Sequence, residues 1–224
     1  MNAIKVDQVI RTNRKSIALI VGQDGRLMVR APREATDEQI LSVIERKSGW
    51  IAAKQQEAIT TYPQIGKKEF VNGEGFLYLG QSYRLKIIEQ AETPLKLDDF
   101  FYLDRGVVSQ ATEIFISWYK TKAKEVLSDR VTWYSQKMGI QVKQIKITSA
   151  NTRWGSCSVK GTLSFPWRLV MAPVVVIDYV VIHELIHIFE KNHHKSFWDK
   201  VRVMMPDYQQ HLRWLKINGH LLKL

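Results

Sequence analysis

Residues 183–194 read HELIHIFEKNHH, and this stretch carries four of the chain's six histidines. His183 and His187 are four residues apart. On a helix both imidazoles then face one side, about a turn apart, and can converge on one metal ion. Glu184 follows the first histidine and projects beside the metal rather than onto it, where a general base for a metal-held water belongs. His193 stands six residues after His187, with His194 next to it. A third histidine ligand from this pair leaves a fourth position open for water, which separates a catalytic zinc from a structural one. H-E-x-x-H also occurs by chance on surface helices. Here the run before it, Val174 to Ile182, is almost wholly apolar, so the helix is expected to be buried on most sides. Buried histidines and a buried carboxylate need partners, because unpaired buried polar groups are strongly disfavoured. A metal partners all of them at once. The expected cofactor is Zn2+.

The elements that must hold this site are legible in outline. Ser16–Val21 and Leu27–Ala31 are β-type runs around the turn signal Gly22-Gln23-Asp24-Gly25, which predicts a hairpin. Thr36 to Gln39 resembles a capping box, and apolar residues at helical spacing predict one helix from Asp37 to Ala58. The stretch 60–68 reads as a connection. Gly75–Gly80 and Tyr83–Ile88 predict a second hairpin, with one more strand before Val108. A long helix is expected from Ala111 to Met138, with Ile114, Trp118, Val126, Val131 and Tyr134 in its apolar stripe and Gly139 as its stop. Ile145–Thr148 alternates like a strand, Asn151–Gly161 is a polar loop, and Leu163–Met171 is a further strand. Pro166 inside that strand lacks an N–H for the ladder and predicts a sheet edge or bulge. Pro173 suits the first turn of the histidine-bearing helix. That helix is expected to end over Glu190–Asn192, with Asn192 making the sharp turn. Phe197, Val201 and Met204 mark another helix, broken by Pro206, and Leu212–Ile217 a last one ended by Gly219. The expected class is α+β. A β-rich domain with one helix spans 1–108, and a helical and β-hairpin catalytic core spans 109–224.

Composition narrows the setting. A single cysteine, Cys157, excludes an intramolecular disulfide and suits a reducing compartment. The N-terminal segment has no apolar core of signal-peptide length. The apolar stretch from Leu169 to Ile182 is interrupted by Pro173 and Asp178 and is too short to span a bilayer. A cytoplasmic protein without a membrane partner is expected. The net charge of +11 is uneven: residues 140–224 hold 12 Lys and Arg against 5 Asp and Glu. A positive field favours anionic partners. Nucleic acid is the lesser expectation, because the basic residues are spread singly and not in blocks.

Several stretches carry a family likeness. Arg153-Trp154-Gly155-Ser156-Cys157-Ser158, Trp167-Arg168-Leu169, Tyr179 to His187, Asn192-His193, Phe197-Trp198 and Pro206-Asp207-Tyr208 occur in this order. The chain resembles the YgjP-like zinc metallopeptidase family, which is related to the SprT-like and WLM groups. The likeness covers most of the chain; its motifs are specific from Arg153 onward and loose before it. It implies a zinc-dependent hydrolase with a small zincin-like helical core, with zinc on His183, His187 and His193 and Glu184 as base. The chain departs from the family pattern at Pro166, where an Asn is usual. Metzincins share the histidine spacing but have Gly where this chain has Glu190, so the turn must be made differently.

The expected activity is peptide-bond hydrolysis through zinc-activated water. The alternatives are hydrolysis of an anionic small molecule such as a nucleoside phosphate, or a nucleic-acid-associated module. Arg153 has a planar fork suited to a substrate carboxylate or phosphate, and equally to pinning its own loop. His194 is expected at the surface or facing substrate. Cys157 reads as a small residue in a tight turn rather than a nucleophile. The tryptophans read as core, and Phe197 and Trp198 as the packing between the helix they sit on and the site helix.

Overall fold

The computed structural model describes residues 4–22, 25–61 and 66–224. The chain forms two compact units, Met1–Gly66 and Lys67–Leu224. Among the described residues three small sheets and six α-helices make a mixed α+β architecture.

In the first unit β1 (Gln8–Thr12), β2 (Ala18–Val21) and β3 (Leu27–Pro32) form a sheet ordered β1-β3-β2. β2 and β3 are the expected antiparallel hairpin, while β1 lies parallel to β3. Gln23 and Asp24 of the predicted turn lie outside the described residues, as do residues 62–65 of the predicted connection. Leu27, Val29 and Ala31 alternate inward from β3 onto Ile40, Ile44 and Ile51. The capping box forms: the Gln39 amide N–H donates to the Thr36 hydroxyl and the Thr36 N–H to the Gln39 side chain. The single helix expected over Asp37–Ala58 is two, α1 (Asp37–Arg46) and α2 (Ser48–Thr61). Lys47 leaves helical geometry at φ −107 and ψ 12 just before Ser48 and Gly49. Glycine ranks lowest among ordinary helix formers, which favours a break there.

The second unit opens with β4 (Gly75–Tyr78), β5 (Gln81–Ile88), β6 (Leu95–Leu97) and β7 (Phe101–Asp104), in the order β4-β5-β7-β6. β4 and β5 make the predicted second hairpin, and two strands follow where one was expected. The hairpin turn has positive φ at both Leu79 (50°) and Gly80 (83°), as a type I′ turn requires. Helix α3 (Ala111–Met138) stops at Gly139 in the left-handed conformation. Its buried stripe is Phe115, Tyr119, Ala123, Leu127, Val131 and Tyr134. Of the expected stripe, Ile114, Trp118 and Val126 lie on its half-buried flank. Phe115 stacks on Phe76 of β4 with centroids 4.3 Å apart, and the Tyr119 hydroxyl donates to the Leu77 carbonyl at 2.7 Å. One core therefore joins the β4–β7 sheet to α3, and the expected boundary between residues 108 and 109 falls within this unit.

β8 (Gln144–Thr148), β9 (Ser156–Cys157) and β10 (Thr162–Pro166) form the third sheet, ordered β8-β10-β9. β10 is the middle strand, contrary to the edge or bulge expected from Pro166. The proline is tolerated because β9 pairs only with Leu163 and Ser164, so no β9 residue faces Pro166. The chain then leaves the sheet. Residues expected to prolong the strand form a 3₁₀ turn, Trp167–Met171.

Helices α4 (Val174–Ile186), α5 (Lys195–Met204) and α6 (Tyr208–Asn218) complete the unit. α6 starts before the expected Leu212 and ends before Gly219. Two contacts fix α4. The β4–β5 turn docks at its start: the Leu79 and Gly80 N–H groups donate to the Val170 and Met171 carbonyls at 2.8 and 3.2 Å. A Cβ on Gly80 would lie 2.8 Å from the Pro173 Cα, so only glycine permits this approach. Along the helix, buried Asp178 forms a bidentate pair with Arg130 of α3, at 2.5 and 2.7 Å. Among the described residues no helix is long and apolar enough to cross a membrane.

Candidate metal centre

His183 and Glu184 occupy the last turns of α4, and His187 caps it. The helix ends earlier than the expected Glu190–Asn192. The N–H groups of Ile188, Phe189 and Glu190 turn back onto the Leu185 and Ile186 carbonyls. Lys191 Nζ donates to the His187 and Ile188 carbonyls at 2.8 and 3.1 Å, satisfying helix-end acceptors. Asn192 does not make the turn: among the described non-glycine residues only Phe70, Leu79 and Gln90 have positive φ. This early, side-chain-capped exit carries the chain back over the helix end and brings His193 to the other two histidines.

The three Nε2 atoms converge. His183 Nε2 lies 3.2 Å from His187 Nε2 and 3.0 Å from His193 Nε2. Tetrahedral ligands about 2.0–2.1 Å from a zinc ion stand roughly 3.3 Å apart, so the triad fits that ion. His187 Nδ1–H donates to the Glu190 carbonyl at 2.8 Å, and this tautomer leaves the Nε2 lone pair facing inward. Phe197 of α5, fully buried, is the floor under all three rings, with centroids 4.6–4.8 Å away. Trp198 stacks on the His193 ring at 5.7 Å. These contacts are those anticipated for the Phe197-Trp198 pair. Burial, and next the neighbouring His187 and His193, push the His183 pKa down to about 3. Burial and then His187 lower that of His193. Both shifts favour neutral imidazoles, the form that binds a metal.

Glu184 is buried, and its Oε2 has no partner among the described residues. Burial raises its pKa to about 7, against the opposing charge of Arg153. The loop segment before β9 walls this carboxylate in. A Cβ on Gly155 would stand 2.7 Å from the Glu184 Cδ, so the glycine of the Arg-Trp-Gly-Ser-Cys stretch makes room for the acid. Trp154 beside it packs on Gly219, where an added Cβ would approach its ring to 2.8 Å. In the sequence Gly155 is visible only as part of the Arg-Trp-Gly-Ser-Cys motif. Its position after a tryptophan in a polar loop was the available signal, and the loop's closeness to α4 was not.

The other candidates are placed as follows. His194 is exposed and serves as the N-cap residue of α5, outside the triad. Arg153 is exposed on the wall segment. Cys157 is half-buried in β9, with its Sγ near the Ser158 carbonyl at 3.4 Å. Burial raises its pKa, an effect Lys191 opposes, so it is not an activated thiolate. Trp167 is core, whereas Trp154, Trp198 and Trp214 are half-buried.

Three converging imidazoles beside a buried carboxylate whose Oε2 has no partner among the described residues are the donor set that metal-dependent hydrolysis uses. The chain belongs to the YgjP-like metallopeptidase family: the YgjP-like metallopeptidase domain matches residues 15–218. A solved structure, the metallopeptidase zymogen of Pyrococcus abyssi abylysin, is similar at 22% identity and a TM-score of 0.37. That match covers 40% of this chain and 92% of the other. No curated protein matches the chain.

Proposed function

We propose that this protein is a zinc-dependent peptidase, with His183, His187 and His193 as metal ligands and Glu184 as general base. The observation that carries this reading is that the His187 and His193 Nε2 atoms lie 3.2 and 3.0 Å from the His183 Nε2, next to a buried Glu184 Oε2 that has no partner among the described residues. Zinc, when bound there, supplies a Lewis acid for the scissile carbonyl and lowers the pKa of a coordinated water. Glu184 Oε2 takes the proton of the attacking water and returns it to the leaving amine. Phe197 and Trp198 hold the ligand rings in one orientation and keep water from beneath them. Arg153 and His194 lie on the substrate side of this reading.

The test is reconstitution with zinc followed by a peptide-library digest read by mass spectrometry. One zinc per chain and cleavage are expected. Glu184→Gln should keep the zinc and lose roughly 10²–10⁴-fold in rate. His193→Ala should lose zinc and His194→Ala should retain it. A Glu184→Gln protein that cleaves at the wild-type rate, or a His194→Ala protein that alone loses zinc, removes this assignment.

A further inference from the structure

Cations on the elements around the site are mostly engaged. Lys191 caps the end of α4, Lys200 Nζ lies 2.6 Å from Glu190 Oε1, and Arg130 holds Asp178. Arg168, over the Trp167 ring, turns onto the Ser149 and Ala150 carbonyls and the Asn151 side chain, anchoring the loop that leads to residue 153. The acids are engaged too: Glu190 with Lys200, Asp178 with Arg130, and Asp207 with His211 at 3.3 Å.

Arg153 differs. It is exposed, and it makes no hydrogen bond or ion pair among the described residues. Yet it rises from the segment that walls the site. Gly155, two residues on, is in contact with the Glu184 carboxyl, and the Arg153 charge is felt at that carboxyl without an ion pair forming. The loop that carries it is held from behind by Arg168, so the guanidinium is anchored at its base and free at its tip. A guanidinium in this position presents a planar fork of donors that matches a carboxylate bidentately. The chain's own carboxylate next to it, Glu184, is turned into the site and kept out of direct pairing.

We propose that Arg153 is a specificity-determining residue that receives a carboxylate of the substrate peptide, either an acidic side chain near the scissile bond or the C-terminal carboxylate. The proposal rests on the peptidase reading, which supplies the peptide.

Binding decides it without requiring turnover. Zinc-loaded Glu184→Gln protein is titrated calorimetrically with acetylated, amidated hexa-alanine peptides in which one central residue is Glu or Gln. A second pair is acetylated hexa-alanine as free acid and as amide. At least one carboxylate peptide is expected to bind about 10-fold or more tightly than its neutral counterpart, in line with a charged hydrogen bond. The pair that shows the preference identifies the source of the carboxylate. Adding Arg153→Gln should abolish the preference, and Arg153→Lys should restore part of it, because charge returns without the fork. Zinc content and melting temperature check that these exposed-site variants stay folded. Equal binding of both members of each pair, or a preference that survives Arg153→Gln, overturns the proposal. Wild-type protein that shows the Arg153-dependent preference but cleaves no peptide leaves Arg153 its role and removes the peptidase reading instead.

Discussion

A Cβ on residue 155 would stand 2.7 Å from the Glu184 Cδ, closer than van der Waals contact allows. Gly155→Ala therefore cannot leave the carboxylate where it is. The three histidines sit on α4 and the segment after it, away from this clash, so the variant is expected to bind one zinc. Hydrolysis should fall by about 10²-fold or more, as small misplacements of a reacting group do. Zinc content by mass spectrometry and an activity assay check both halves; a Gly155→Ala protein with the wild-type rate excludes a role for Glu184 in its observed position. The burial of Glu184 also has a signature in stability. Its pKa is about 7 in the folded protein against 4.5 for the free group. Between those values the folded state binds more protons than the unfolded one, so this group's contribution is fully present below pH 4.5 and is lost as pH rises through 7. Glu184→Gln removes that dependence; the Cys157 thiol and Tyr179 phenol, which the Glu184 charge also raises, are pushed up chiefly by burial and stay protonated below pH 8. In metal-free protein the variant should therefore gain stability relative to wild type between pH 5 and pH 8, by up to about 3 kcal/mol. Urea midpoints at the two pH values measure it, and a difference that does not change with pH refutes it.

At the scale of elements, the position of α4 decides whether the site exists. Its N-terminus is set by the β4–β5 turn against Pro173, and its middle is tied to α3 by the Asp178–Arg130 pair. The Asp178 carboxyl is almost wholly buried, so removing it strands a guanidinium in a partly buried place. Asp178→Ala is expected to cost about 3 kcal/mol. Asp178→Asn should recover part of the loss through one retained hydrogen bond. Chemical denaturation tests this; a loss below about 1 kcal/mol would mark the pair as no more than a surface contact. Asp178 was legible in the sequence only as an interruption of an apolar run, because its partner lies on another helix. The same limit explains the other differences. Hydrophobic period, a capping box and a terminal glycine located α1 and α3, and an apolar run with the H-E-x-x-H spacing located α4, since those signals are local. The break at Lys47, the parallel pairings of β1 with β3 and β8 with β10, and the middle position of β10 depend on partners distant in the chain. The histidine spacing implied the metal-facing side of α4. The early helix exit that brings in His193 depends on Lys191 reaching back to two carbonyls, a contact that spacing alone does not encode.

For the molecule as a whole, the question is how little of the chain can hold the site. The sequence suggested a catalytic domain beginning at residue 109, because the long helix opens a helical region there. The structure groups Lys67–Leu224 as one unit, and the reason is the face of α3. Phe115 and Tyr119 pack against Phe76, Leu85, Phe101 and Leu103 of the β4–β7 sheet, each no more than 2% exposed. Burying a side chain of this size contributes about 1.5–3 kcal/mol, so losing four of them removes roughly 6–12 kcal/mol. That is comparable to the whole stability of an ordinary domain, about 5–15 kcal/mol. It also leaves the α3 aromatic face in water and takes away the turn that docks on the start of α4. The first unit, by contrast, has a separate core built on Leu27, Val29, Ile40, Ile44 and Ile51. A fragment of residues 67–224 is therefore expected to unfold cooperatively and to bind one zinc with the affinity of the full chain. A fragment of residues 109–224 should be unfolded or aggregated and bind zinc weakly. Circular dichroism melts and zinc titration of the two fragments, side by side with the full chain, decide between the boundaries. If the shorter fragment melts cooperatively and holds zinc as tightly as the full chain, the β4–β7 sheet is dispensable and the site's support lies entirely in the helices.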